Sequence, residues 1–128
     1  MGWSVHLFLA LGGGAGALAR YAVYRALAPA ASGALPWATI SVNVVGSILF
    51  GVIATLAAEP DAMAPRTRIA LLTGFLGAFT TFSTFAYESA ELLRLGFVGR
   101  ALLNAALQNV GALLGVFAGF AVGRALQT

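Results

Sequence analysis

The chain has 128 residues, of which 60% are hydrophobic and 9% charged, with 16 glycines and no cysteine. A soluble domain carries about 25% charged residues, so too little charge is present here to cover a water-facing surface, and the same hydrophobicity excludes disorder. Without cysteine there is no disulfide framework, thiolate metal site or thiol nucleophile. The formal net charge of +3 rests on arginines scattered from Arg20 to Arg124, not on the clustered basic face that tracks a phosphate backbone.

Position along the chain is more informative than the totals. No charged side chain falls in 1–19, 26–58, 69–87 or 101–123. A helix needs about 20 apolar residues to cross the hydrocarbon core. The gaps therefore predict four spanning helices, near Val5–Leu27, Pro36–Ala58, Thr67–Leu95 and Arg100–Leu126, forming one membrane domain over 1–128.

The first span is not a cleaved leader by its pattern, because no basic region precedes the apolar run and Arg20 and Arg25 follow it. Its run Gly12–Ala17 resembles a phosphate-binding loop, but no strand precedes it, so it reads as a small-residue packing surface. His6 has no partner at metal-ligand spacing and reads as an interfacial residue. Arg20, inside the end of the span, calls for a neutralising partner, and Glu88 or Glu91 is the expected one. The connectors APAASGALP, EPDAMAPR and RLGFVGR hold Pro29, Pro36, Pro60 and Pro65 in or beside them, where no helix interior suffers.

The second span places Asn43 mid-membrane, with Thr39 and Ser47 four residues to either side on one face, and Gly46 and Gly51 beside them. A lone Asn serves either as helix-to-helix glue or as part of a functional site. The third span carries the strongest signal. From Gly74 to Phe85 it sets the hydroxyls of Thr80, Thr81, Ser83 and Thr84 among phenylalanines 75, 79, 82 and 85, and it is longer than a crossing requires. Both features predict a break near Gly77–Ser83, where unwound backbone is tolerated only if it is buried in protein or lines a cavity. The fourth span repeats glycine every four residues at Gly111, Gly115, Gly119 and Gly123. It also holds the amides Asn104, Gln108 and Asn109, with Asn104 and Gln108 on one face.

Sidedness is nearly balanced. Arg66, Arg68 and Arg124 fall on one side, against Arg25, Arg94 and Arg100 with Arg20 near them on the other. Cytoplasmic segments normally hold a clear excess of basic residues. The tally leaves insertion in both orientations open, and with it an antiparallel homodimer; one orientation set by a weak bias is the competing reading. Four helices packed on glycine leave no aqueous lumen within one subunit, so a conducting route belongs at an interface between subunits.

No paired carboxylates, nucleophile–base set or nucleophile elbow occurs, so the chain reads as non-enzymatic. The motifs GGGAGALARY (Gly12–Tyr21), SVNVVGS (Ser41–Ser47) and GFLGAFTTFSTF (Gly74–Phe85) together resemble the Fluc/CrcB family of microbial fluoride channels. The resemblance runs through the whole chain in order, length and span count, and the TTFSTF element is its most specific part. It implies an all-α membrane protein with a broken third helix, assembled as a dual-topology antiparallel homodimer in the bacterial plasma membrane. It further implies two pores passing fluoride passively out of the cytoplasm, which lowers its toxicity. Asn43, Phe82 and Phe85 match the pore-lining positions. The backbone carbonyls of Gly77 and Thr80 match those that hold a structural sodium ion, and Arg20 matches an arginine of the vestibule. Thr81, Ser83 and Thr84 belong to the same pore element, and Gln108 falls where the family commonly has a serine. One departure stands out: no Ser or Thr occurs between Arg100 and Ala125, so the hydroxyl track usual in the fourth span is missing, and its place near Ala112 and Val116 is apolar.

Fluoride is small and tightly hydrated, so its carrier must supply donors in place of water. Amide hydrogens and the positive edges of aromatic rings can do so. Two other classes compete. A proton-coupled small multidrug-type exporter needs an embedded carboxylate, typically in the first span, which has none. A non-transporting scaffold subunit explains the glycine strips but neither Asn43 nor the broken span.

Overall fold

The computed structural model describes residues 2–28, 33–59 and 61–128. The architecture is all-helical. Among the described residues four segments are long and apolar enough to cross a membrane: Trp3–Ala26, Trp37–Leu56, Pro65–Arg94 and Val98–Ala125. Each begins and ends within one helical turn of the bounds read from the charge gaps. We label Trp3–Ala26 α1 and Trp37–Leu56 α2. The third span is two helices in succession. In α3, one turn at Pro65–Arg68 runs into a wide π segment, Ile69–Leu76, and ends in Gly77–Phe79. After an extended pair, Thr80 and Thr81, α4 covers Phe82–Arg94. The last helix, Val98–Ala125, is α5.

The helix ends follow from local chemistry. Pro65 opens α3 at a position where a missing N–H costs nothing. Beyond α4, Gly96 takes φ 83°, which a side chain would resist. Its N–H donates to Leu93 O at 3.0 Å and that of Phe97 to Leu92 O at 2.8 Å, the paired bonds of a Schellman ending. Gly33, at φ 75°, lies against the Phe97 ring, and its carbonyl accepts from Arg100 Nη1 at 2.6 Å. This ties the first connector to the start of α5. Pro29 and Pro60, expected in connectors, lie outside the described residues.

Two seams hold the helices together. α1 packs along the π segment of α3, and α2 packs along α5. Both depend on glycine. A methyl group at Gly12 would run into the Ala70 carbonyl and one at Gly16 into the Phe75 carbonyl. A methyl at Gly119 would meet the Ile48 carbonyl, and one at Gly51 the Val116 carbonyl. Backbone lies on backbone, the arrangement that lets helices associate in lipid, where apolar burial gives little driving force. The core proper is small: Val42 and Leu76 are buried with Thr39 and Asn104, while Leu11, Leu18, Leu102 and Leu114 are more than half exposed. So wide an apolar exterior suits a hydrocarbon environment rather than water.

Candidate functional site: the broken third span and its amide cluster

The interruption at Thr80–Thr81 falls inside the Gly77–Ser83 stretch expected from sequence. Thr80 has φ −83° and ψ 159°, and Thr81 has φ −154° and ψ 116°, both extended. Thr80 still closes the end of α3, donating from its N–H and its hydroxyl to Leu76 O at 3.0 and 2.9 Å. Thr81 begins α4 as its N-cap, its Oγ1 accepting from Thr84 N–H at 3.3 Å.

Asn43 of α2 bridges the gap. Its Oδ1 accepts from Thr81 N–H at 2.8 Å and its Nδ2 donates to Thr81 O at 3.0 Å, so one side chain satisfies both backbone groups of the residue at the break. In an unbroken helix that N–H would bond the Gly77 carbonyl; Asn43 takes it instead, and the Gly77 carbonyl is left without its helical donor. Gly46, one turn along α2, leaves room for the Thr80 methyl, which any side chain at 46 would strike.

From Asn43 the amides continue in one direction. Asn43 Nδ2 donates to Gln108 Oε1 at 2.7 Å, Gln108 Nε2 to Asn104 Oδ1 at 3.4 Å, and Asn104 Nδ2 to Ser89 Oγ at 3.0 Å. Asn104 and Gln108 are 0% and 4% exposed; such burial is affordable because each finds partners. Asn109, the third amide of α5, points elsewhere, is exposed, and bonds the Ala105 carbonyl of its own helix at 2.8 Å.

A groove of about 400 Å³ opens beside this cluster. α2 contributes Asn43, Ser47 and Phe50, the break contributes Thr80 and Thr81, and α4 contributes Phe82 and Phe85. α5 lines it with Gln108, Asn109, Ala112 and Val116. Phe82 is 74% exposed along one wall. The Phe82 and Phe85 rings meet edge to face, 5.3 Å between centroids and tilted 64°. Ser83 and Thr84 are not among the groove's lining residues. Thr84 instead lines a second hollow of about 350 Å³ with Ala17, Arg20, Tyr21 and Tyr24.

The expected pairing of Arg20 with Glu88 or Glu91 is not what the structure has. Arg20 Nη1 donates to the Thr80 carbonyl at 3.5 Å. Glu91 is held by Arg94, three residues away on the same helix, through Nε at 3.0 Å and Nη2 at 2.8 Å. Glu88 Oε1 accepts from the Thr39 hydroxyl at 2.7 Å. With the Thr39 proton committed there, the Tyr24 hydroxyl must be the donor in its 2.6 Å contact with Thr39. Glu91 is satisfied within its own helix, Glu88 is bonded at Oε1 while its buried Oε2 has no partner, and the unwound backbone gives Arg20 an acceptor instead. Sequence reasoning missed Tyr24, Ser89 and Phe50. Tyr24 lies one turn beyond Arg20 on the same face of α1, which was a usable signal, whereas Ser89 and Phe50 offered none.

Four apolar spans, an unwound membrane segment and a groove lined by amides and phenylalanine rings are the marks of a multi-pass membrane protein with a polar site inside the bilayer. A family model described as "CrcB-like protein, Camphor Resistance (CrcB)" matches residues 7–120. Two curated relatives named "Fluoride-specific ion channel FluC" cover nearly the whole chain. That of Thermus thermophilus is 40% identical over 98% of this chain and 98% of its own. That of Maridesulfovibrio salexigens is 38% identical over 93% and 94%. A third relative of the same name, from Rhodospirillum centenum, is 43% identical over 91% of this chain and 92% of its own. The chain belongs to the CrcB family, and the curated bacterial relatives it matches are named as ion channels.

Proposed function

We propose that the protein is a passive, fluoride-selective channel that lets fluoride leave the cytoplasm, working as an antiparallel homodimer. The observation that carries this reading is the groove at Thr80–Thr81, which sets amides opposite tilted phenylalanine rings and has no acidic side chain in its lining. Moving a bare anion into low dielectric costs on the order of tens of kcal/mol by Born estimates. The groove offsets that cost with many weak, positively polarised contacts, which suits passage because each site must also release. The amino-terminal end of α4, at the groove's edge, adds a favourable field for an anion. Asn43 holds the break open, Phe82 and Phe85 offer ring edges, and the apolar stretch of Ala112 and Val116 narrows the route against larger, hydrated ions. The groove is open along the exposed Phe82 wall, which a second, oppositely inserted copy would close.

The residues also fit a structural sodium ion. The Gly77 carbonyl has lost its helical donor to Asn43, the Thr80 carbonyl lies on extended backbone and keeps a lone pair beside its long 3.5 Å contact with Arg20, and uncharged carbonyl oxygens on unwound helix are suitable ligands for a monovalent cation. Two such carbonyls from each of two copies would complete the shell. A cation held there would add fixed positive charge beside the anion route. The proton-coupled exporter is not favoured, since α1 has no carboxylate.

Efflux from liposomes tests the reading: purified protein should release fluoride while chloride stays trapped, and chloride leaving as fast as fluoride overturns it. Repeating the assay after sodium is exchanged for a large organic cation should give impaired flux. Phe82→Ile should cut fluoride flux about tenfold or more while each copy still folds, because the ring is 74% exposed and packs little within its own subunit. Wild-type flux in a correctly assembled Phe82→Ile protein refutes the ring-edge role.

A further inference from the structure

Counting donors in the groove separates its residues into those with hydrogens to offer an ion and those with none. The Ser47 hydroxyl donates to Asn43 O at 2.7 Å, that of Thr80 to Leu76 O at 2.9 Å, and that of Thr81 to Thr84 Oγ1 at 3.0 Å. Each hydroxyl has one hydrogen, so all three are committed to protein acceptors. Asn43 has two amide hydrogens, and both are taken, by Thr81 O and Gln108 Oε1. Gln108 differs. Its Nε2 carries two hydrogens but makes one bond, a long 3.4 Å contact to Asn104. Its carbonyl oxygen accepts from Asn43 at 2.7 Å, and a carbonyl polarised in that way makes the attached N–H groups better donors. Asn109 likewise has an uncommitted hydrogen, but it bonds the Ala105 carbonyl of its own helix and stands outside the amide chain that begins at Asn43.

We infer that Gln108 is the residue that exchanges fluoride's water for protein hydrogen bonds, and that Asn43 is a positioning residue that holds the break and orients Gln108. This inference rests on the fluoride-channel reading and names the ligand within it. It also accounts for the missing hydroxyl track of α5: an amide of longer reach, fed by a directed chain of neighbouring amides, stands in for a row of serines. Steady passage then requires only that the uncommitted Nε2 hydrogen of Gln108 meet the ion, with no side chain leaving its partner.

The test uses the full chain in bilayers and reads position as well as rate. The sequence has two glutamines, Gln108 and Gln127, and three asparagines, Asn43, Asn104 and Asn109, so side-chain ¹⁵N labelling of glutamine and asparagine gives few signals, each assignable by substitution. With fluoride present, solid-state ¹⁵N–¹⁹F dipolar recoupling should show dephasing of one glutamine Nε2, absent in Gln108→Met, with weaker dephasing of Asn43 Nδ2. In flux assays Gln108→Met should raise the half-saturating fluoride concentration about tenfold, and Gln108→Asn should recover part of the loss. Strongest dephasing at Asn43, or an unchanged half-saturating concentration in Gln108→Met, overturns the assignment. A wild-type protein that passes no fluoride would instead overturn the channel reading beneath it, so the two failures are distinguishable. Should Gln108→Met fail to assemble, dephasing in the wild-type protein decides alone, since Gln127 is assigned independently by Gln127→Ala.

Discussion

Where α1 lies along α3, Gly12, Gly16 and Gly74 bring backbone against backbone, and the side-chain bond from Arg20 to the Thr80 carbonyl comes only at the far end, where α3 gives way to the break. Where α2 meets the Thr80–Thr81 break, one side chain, Asn43, makes three hydrogen bonds, two of them to the backbone of a single residue. The first seam needs only the absence of side chains, and any added atom forces the helices apart. The second needs specific polar atoms, because extended backbone in lipid must find partners or pay several kcal/mol for each group left bare. Rigid close packing on one side thus supports an unwound, chemically active segment on the other.

Substitutions that exchange these two kinds of dependence can break the comparison. The largest effect is expected at Gly16, where leucine would thrust side-chain atoms into the Phe75 carbonyl. Gly16→Leu should destabilise by about 3 kcal/mol or more, overpacking against backbone that cannot yield. Recovery of monodisperse protein from detergent and its thermal unfolding would measure this, and normal yield and stability would show that the seam is looser than described. Next comes Asn43→Ala, which leaves the Thr81 N–H and C=O unpaired at roughly 1–3 kcal/mol per group. It should abolish fluoride efflux while part of the protein remains folded, a separation Gly16→Leu should not show. Ser47→Ala should have the smallest effect, within about 0.5 kcal/mol, because the Ser47 hydroxyl bonds only the Asn43 carbonyl one turn back in its own helix. A large flux loss in Ser47→Ala would place that hydroxyl on the ion's route and sharpen the division of roles in the groove.

The Thr39–Glu88 contact shows a third arrangement, between the two seams. Thr39 is fully buried, and it links Tyr24 on α1 to Glu88 on α4 across three helices. It resembles the Asn43 seam in using polar atoms and the glycine seam in joining intact helices. The acid found its partner in a hydroxyl of α2 rather than in Arg20, and that choice turns on which faces the helices present to one another.

The spans, their order and the break were legible in the sequence, because each is a local property. Charge gaps report which segments tolerate hydrocarbon, and the crowding of Gly77, Thr80, Thr81 and Ser83 with phenylalanine marks backbone that a plain lipid-facing helix would not use. Asn43 and Gln108 also stood out, since a polar group in an apolar run calls for an explanation wherever the chain folds. Partnership was another matter. That Arg20 reaches the Thr80 carbonyl, that Asn43 takes both backbone groups of Thr81, and that Gln108 keeps a hydrogen in hand are facts about side chains 38 to 65 residues apart in sequence. Spacing along one helix determines which residues share a face, but only the packing of one helix against the next decides which of those faces meet, and a hydrogen bond forms or fails within a few tenths of an ångström of that outcome.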